Sequence, residues 1–289
     1  MATKLSSRKG AKEAVGTTRN LIVVSDIHGS CKMAVPPPRP FKLTDGGYYL
    51  PSGLQKKMLV FWNEFWRVWV PKATRGEPWD LCINGETVDG VHHKSTTQYT
   101  QNKTNQKDAA IAILRPIVDL CPGRLFVTSG TPVHSGESGC DDEGVAEALG
   151  AVPDKTGRHA RYELWIRVGT ALCHIMHHIG TTGRTHYESS APMGELGEAL
   201  TEAGRWEDEP PQFIVRSHRH RYVEVRIPTS KGFAAVAVTP GWQAKTPFAY
   251  RIAGARQSPP QFGGLLIRQG DEEAYTRPKV WTIGRPGVE

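Results

Sequence analysis

The chain is predicted to be an α/β protein in which two mixed β-sheets pack together, flanked by helices. Three observations predict this. Short apolar, β-branched runs alternate with helix-periodic stretches through the first half, and strand-like runs crowd the second. No Ser/Gly-rich or like-charged linker divides the middle of the 289 residues. Strand–helix alternation builds a largely parallel sheet with helices on its faces, and a strand-rich remainder supplies a second sheet. Residues 20–289 therefore read as a single domain. Residues 1–19 carry Lys4, Arg8, Lys9, Lys12 and Arg19 with no apolar stretch, and read as a flexible basic tail rather than a secretory signal.

Residues 20–25, NLIVVS, form the first buried strand. The Pro- and Gly-rich stretch 32–52 is a loop. From Leu54 to Val70, apolar residues recur at helical spacing (Leu54, Met58, Phe61, Phe65, Val68), and Pro71 is expected to end the helix. The flanking Trp62, Trp66 and Trp69 read as core packing. Strands follow at 81–83 and 125–128, with a helix over 104–120 between them. Residues 141–149 suit a helix with acids in its first turn. Strands are then expected at 162–168, 171–176, 213–216, 222–227 and 233–238, with a helix near 194–204.

Composition narrows the function. A formal charge of +7 favours an anionic partner such as a phosphate ester or nucleic acid. Five cysteines without a C-x-x-C pair argue against a disulfide framework and for a reducing, cytoplasmic setting. No run reaches the ~20 apolar residues of a membrane span. Nothing in the sequence bears on oligomeric state.

Chemistry-bearing residues gather where strands end. Asp26 and His28 follow the first strand; at i and i+2 of an extended segment they would aim at one point, where ligands of open α/β sheets bind. Glu86 and Asp89 follow the 81–83 strand, and a carboxylate there can bridge two cations through its two oxygens. Thr131 and His134 follow the 125–128 strand. His177 and His178 end the 171–176 strand, and the sequence leaves open which of them is a ligand. His218 and His220 follow the 213–216 strand. Paired imidazoles of this kind serve one metal or two adjacent ones.

In that order the five loops resemble the calcineurin-like metallophosphoesterase family, whose pattern is D-x-H, G-D-x-x-D, G-N-H-D/E, a lone His, then G-H-x-H. The resemblance runs from Leu21 to His220. The DGVHHKSTTQ run and the GTPVHSG loop more loosely resemble a phage-associated branch. Three positions depart from the pattern: Glu86 stands for the usual Asp, Thr131 for Asn with His134 three residues on, and Ser217 for Gly. The resemblance implies a metallophosphoesterase-like sandwich that hydrolyses phosphoesters; the basic charge and the Arg residues around His218 favour a phosphodiester, nucleotide or nucleic acid as substrate. The alternatives are a phosphomonoesterase and a weakly active phosphate- or nucleic-acid-binding module. It implies that Asp26, His28 and His220 hold one metal, that Glu86 bridges, and that His177 or His178 with His218 holds the second. Thr131 and Asp89 would be ligands or supports. His134 would act as general acid or hold a phosphoryl oxygen. Arg184, Arg216 and Arg219 are candidate phosphate contacts. Mixed His and carboxylate donors suit two divalent transition metals, Mn first, with Fe, Zn or Ni as alternatives.

Overall fold

The computed structural model describes residues 17–92, 94–180, 184–230, 232–251 and 258–284; most of the expected basic tail lies outside these. In chain order the strands are β1 (Asn20–Val24), β2 (Phe41–Lys42), β3 (Tyr48–Tyr49), β4 (Asp80–Asn84), β5 (Leu125–Thr128), β6 (Ala160–Arg161) and β7 (Leu164–Val168). They continue with β8 (Ala171–Ile175), β9 (Phe213–Arg216), β10 (Val223–Thr229), β11 (Gly232–Val238), β12 (Gln261–Gln269) and β13 (Ala274–Thr282). The helices are α1 (Gly53–Glu64), α2 (Val70–Ala73), α3 (Lys103–Leu120), α4 (Pro132–Ser135), α5 (Cys140–Leu149) and α6 (Ser190–Trp206).

The first sheet has the order β13-β12-β1-β4-β5-β6, with β1, β4, β5 and β6 parallel and β12 and β13 antiparallel. The second has the order β10-β11-β9-β8-β7, with β11, β9 and β8 parallel and both edge strands antiparallel. Both sheets are mixed, as the sequence pattern predicted. Alternation along each strand explains how they stack. Leu21 and Val23 of β1, Cys82 of β4 and Phe126 of β5 face the second sheet and meet Ile166, Cys173, Ile175 and Val215. Ile22, Val24, Leu81, Ile83 and Val127 face the other way, into a core shared with α1, α3 and α5. Strands buried on both faces read as continuous apolar runs, and that is why NLIVVS was legible. On the far side, Leu196 of α6 packs on Ile214, Ala234 and Val236. The layers are thus helices, sheet, sheet, helix.

The expected end of the first helix is corrected. Rather than stopping before Pro71, the helix passes through a π-turn over Phe65–Trp69 and continues to Ala73, with the Val70 N–H reaching the Phe65 carbonyl. Proline lacks an N–H and its ring crowds the carbonyl four residues back; a widened turn relieves that crowding. The aromatic stripe is core, as expected. Trp62 meets Trp242 at 4.6 Å and Phe65 stacks on Trp69 at 4.8 Å. A fully buried Phe such as Phe65 contributes about 1.5–3 kcal/mol. Strands β12 and β13 had no counterpart in the sequence reading, yet β12 lies directly beside β1. Among the described residues, no helix is long and apolar enough to cross a membrane.

Candidate metal centre

The loops after β1, β4, β5, β8 and β9 converge at the carboxyl ends of the parallel strands, where backbone groups and side chains are free of the sheet ladders. Three sets of donor atoms there lie within 4.8 Å of one another: Asp26, His28, Glu86 and His220; Glu86, His177 and His218; and His28, Asp89 and His134.

In the first set, His220 Nε2 is 3.1 Å from Asp26 Oδ1, and His28 Nε2 is 3.2 Å from both Glu86 Oε2 and His220 Nε2. In the second, His177 Nε2 is 3.1 Å and His218 Nδ1 3.5 Å from Glu86 Oε1. Glu86 thus turns one oxygen to each set. The residues fit a pair of cations by a direct test. Asp26 Oδ1, His177 Nε2 and His218 Nδ1 are buried with no well-directed hydrogen bond, and meet only the ion-pair contacts just given across the centre of each set. Orphaned polar atoms of this kind are costly unless something charged meets them. The third set differs. His28 Nδ1–H donates to Asp89 Oδ1 (3.1 Å), which also accepts from Gln243, while Gln98 donates to Asp89 Oδ2 (2.6 Å). Asp89 is satisfied at both oxygens, so it orients His28 rather than waiting for an ion.

Electrostatics follow from this crowding. Burial disfavours a charged His28, but hydrogen bonds to Asp89 and Glu86 outweigh it and raise its pKa to about 10. Burial likewise opposes charge on His177, while the Glu86 and Asp26 carboxylates raise it to about 9. Burial would raise Asp26 and Glu86; the histidine charges, His220 foremost for Asp26 and His177 for Glu86, pull both below the usual carboxylate range. His134 goes the other way. Burial pushes it down to about 4, its Nδ1–H donates to the Asp89 carbonyl at 2.7 Å, and its ring lies 4.6 Å from that of His28.

The backbone is strained at this spot. Of the ten non-glycine residues with positive φ among the described residues, five are Asp26, His28, Glu86, His218 and His220. Each such conformation costs on the order of 1–3 kcal/mol and persists only where surroundings over-determine it. The expectation that Asp26-x-His28 is an extended segment is therefore corrected: with φ of 55° and 48°, both residues are left-handed, and that turn brings their side chains together. Two glycines allow the crowding. Gly85 has φ of 78°, and a Cβ there would lie 2.5 Å from His177 Nδ1; at Gly241 a Cβ would lie 2.9 Å from Asp26 Cβ.

Beneath the donors runs a fully buried polar seam. The Asn84 amide donates to Ser217 Oγ (2.7 Å), Ser217 and Thr239 share a hydrogen bond (2.7 Å), and Ser25 bonds both Thr239 (2.8 Å) and Asp26 Oδ2 (2.5 Å). Ser217, before His218, serves here as a link between the sheets.

Other sequence candidates separate cleanly. Of the histidine pair, His177 joins the second set with its Nδ1–H donated to the Asn84 carbonyl (2.7 Å), whereas His178 is exposed and outside all three. Thr131 donates its hydroxyl to Glu86 Oε1 at 2.6 Å. Arg219 borders the cavity over the cluster, its guanidinium bonded to the Gly180 and Glu188 carbonyls. Arg216 is corrected: it shares the face of β9 that Ile214 turns to α6, and is ion-paired there with Glu195 at 2.8 Å. Arg184 is exposed and borders neither cluster nor cavity. Sequence reasoning missed Gly241 and Gln243. They follow β11 in the run TPGWQ, and the rule that exposed the other loops, chemistry after an apolar strand, would have found them.

A cavity of about 710 Å³ opens on the cluster, sharing His28, Glu86, His134, His218 and His220 with it. Lys94, Arg219, Arg221, Lys245 and Arg251 also border it. Fold and site together define a two-sheet α/β sandwich with a possible metal centre at its strand ends. No family model matches the chain, and no curated protein does. Solved structures similar to it include Vacuolar Protein Sorting 29 from Cryptosporidium parvum (11% identity, TM-score 0.36, covering 93% of this chain and 100% of that one). Another is a metallophosphoesterase from Sphaerobacter thermophilus (9%, TM-score 0.35, 90% and 88%). A third is the sulfate thiohydrolase SoxB from Thermus thermophilus (12%, TM-score 0.38, 92% and 57%).

Proposed function

We propose that this protein is a calcineurin-like metallophosphoesterase that hydrolyses phosphodiesters of nucleotide size or the exposed ends of nucleic acid. The carrying observation is Glu86, a buried carboxylate with one oxygen turned to each of two donor sets whose remaining atoms include three buried orphans. Asp26, His28 and His220 with Glu86 would hold one ion, and His177 and His218 with Glu86 the other. Two divalent transition ions, Mn first, suit this mixture of nitrogen and oxygen donors. When bound, they supply Lewis-acid charge for a phosphoryl group.

The protein's own residues supply the rest. Asp89, fixed by Gln98 and Gln243, holds the His28 tautomer that leaves Nε2 as the donor. His134 is neutral near pH 7 with its proton on Nδ1, so Nε2 accepts a proton before it can give one to a leaving group. Of the five cationic side chains around the cavity Arg221 is ion-paired with Glu188; the others favour an anionic substrate, and a space of about 710 Å³ has the size of a small-molecule site. That size favours a nucleotide or a strand end over a duplex.

The test is a hydrolysis screen in Mn²⁺ with aryl monoester, aryl diester, nucleotides, and single- and double-stranded DNA and RNA. Diester turnover abolished by chelator is expected. Turnover of monoesters alone would make the protein a phosphomonoesterase. Metal binding with no turnover of any substrate would leave a phosphate-binding module.

A further inference from the structure

The geometry points to Asp142, on α5, as the positioning residue for one whole side of the site, an inference that rests on the metal-centre reading above. Asp142 is fully buried. Its Oδ1 accepts from the Thr87 N–H (2.9 Å) and the Thr87 hydroxyl (2.6 Å). Its Oδ2 accepts from the Gly130 N–H (2.8 Å) and the Ser135 hydroxyl. Each of these partners is the immediate chain neighbour of a site residue: Thr87 of Glu86, Gly130 of Thr131, and Ser135 of His134. A single carboxylate therefore fixes the loop after β4 to the loop after β5. It sets where the Glu86 carboxylate, its hydroxyl donor Thr131 and the His134 ring stand relative to one another.

The charge matters as well as the shape. Among the described ion pairs none reaches Asp142; the nearby Lys103 pairs with Asp141 instead. A buried carboxylate without a cation is tolerated only when hydrogen bonds satisfy its oxygens, and here four donors do. An amide of the same shape cannot replace it. Asparagine would turn an NH₂ toward either the Thr87 N–H or the Gly130 N–H, and neither backbone donor can become an acceptor. Asp142 reaches either set only through Glu86, and of the two Glu86 oxygens it is Oε1, turned to His177 and His218, that accepts from Thr131 beside Gly130, so its influence should fall more on the second ion and on His134 than on the first ion.

The test is a calorimetric titration of the full chain with Mn²⁺, comparing wild type with Asp142→Asn, Thr87→Val and, as control, Asp141→Asn. Asp142→Asn is expected to keep its far-UV spectrum and to weaken the tighter ion by less than the second. Its Kd for the second ion should rise by about 10–100-fold, the usual cost of losing a group that orients metal ligands. On a nitrophenyl phosphodiester kcat should fall with KM little changed. Thr87→Val, which removes one bond and keeps the charge, should shift the second Kd in the same direction by less, and Asp141→Asn should match wild type. Equal weakening of both ions, or an unchanged second Kd, overturns the inference. If Asp142→Asn does not fold, unchanged second-ion binding in both Thr87→Val and Ser135→Ala overturns it as well. A wild type that binds no Mn²⁺ refutes the metal-centre reading and this inference with it, whereas one that binds two, alongside an indifferent Asp142→Asn, refutes this inference alone.

Discussion

The two donor sets share Glu86 and are otherwise built differently. The first has four His or carboxylate donors, and its members are braced: Ser25 bonds Asp26, and Asp89 fixes His28 from behind. The second has three: His177 is braced by the Asn84 carbonyl, but the His218 side chain is 31% exposed. A four-donor braced set holds an ion tightly; a three-donor set with an accessible imidazole leaves positions open, as reactive metal sites require. On the proposed reading the first ion is structural in its permanence, and the second is the one that exchanges and meets substrate.

The largest expected effect comes from the residue the sets share. Glu86→Gln should remove the charge from both and lower the rate by more than the ~10–100-fold cost of disturbing a ligand's partner. Unchanged rate and metal content would place the bridge elsewhere. Next in size, His218→Ala should lower bound metal from two ions to one per chain in elemental analysis, while His220→Ala weakens the tighter ion. Equal loss in the two variants would break the asymmetry.

Protons sharpen the contrast. In the metal-free protein His28 and His177 have pKa values raised to about 10 and about 9, one in each set. A raised pKa contributes stability that is fully present below the unfolded value of 6.5 and is lost as pH climbs through the folded value. The chelated protein should therefore melt at a lower temperature at pH 8.5 than at pH 6.5. The Mn²⁺-loaded protein should not follow this trend, because ligand nitrogens carry no proton. Its metal affinity should rise with pH, and binding at pH 7.5 should release about two protons, read by calorimetry in buffers of different ionisation enthalpy. A chelated protein no less stable at pH 8.5 contradicts the assignment.

Much of this was legible in the chain. β1, β4 and β5 are buried on both faces and so are written as unbroken apolar runs, and the residues just past their ends could be named in order. β12 was not legible because Gly263 and Gly264 interrupt its apolar run and polar residues close both its ends. The choice between His177 and His178 was closed to sequence, since adjacent residues differ only in which way the chain turns, and Gly85 decides that by making room for one ring. Arg216 misled because nearness in sequence to His218 says nothing about strand parity. Asp142 was invisible for a related reason: its partners are 55, 12 and 7 residues away, and only the fold assembles them.

The smallest effect on a nitrophenyl diester belongs to His134, which borders the first set yet supplies no atom to either ion on the proposed reading. Its Nδ1–H is committed to the Asp89 carbonyl, so only Nε2 can handle a proton. A proton delivered to the leaving oxygen matters in proportion to how poor that leaving group is: an alkoxide needs it, while nitrophenolate departs readily without it. Loss of such a group typically costs ~10²–10⁴ in rate where protonation is required. His134→Ala should therefore keep both ions and most of its rate on a nitrophenyl diester, and lose about 10² or more on a dinucleotide. Metal loss in this variant would make His134 a ligand in place of the family's asparagine and give the centre a different balance of donors. Equal loss on both substrates with metal intact would assign it to holding a phosphoryl oxygen rather than moving a proton. No change on either would leave the ring as packing against His28.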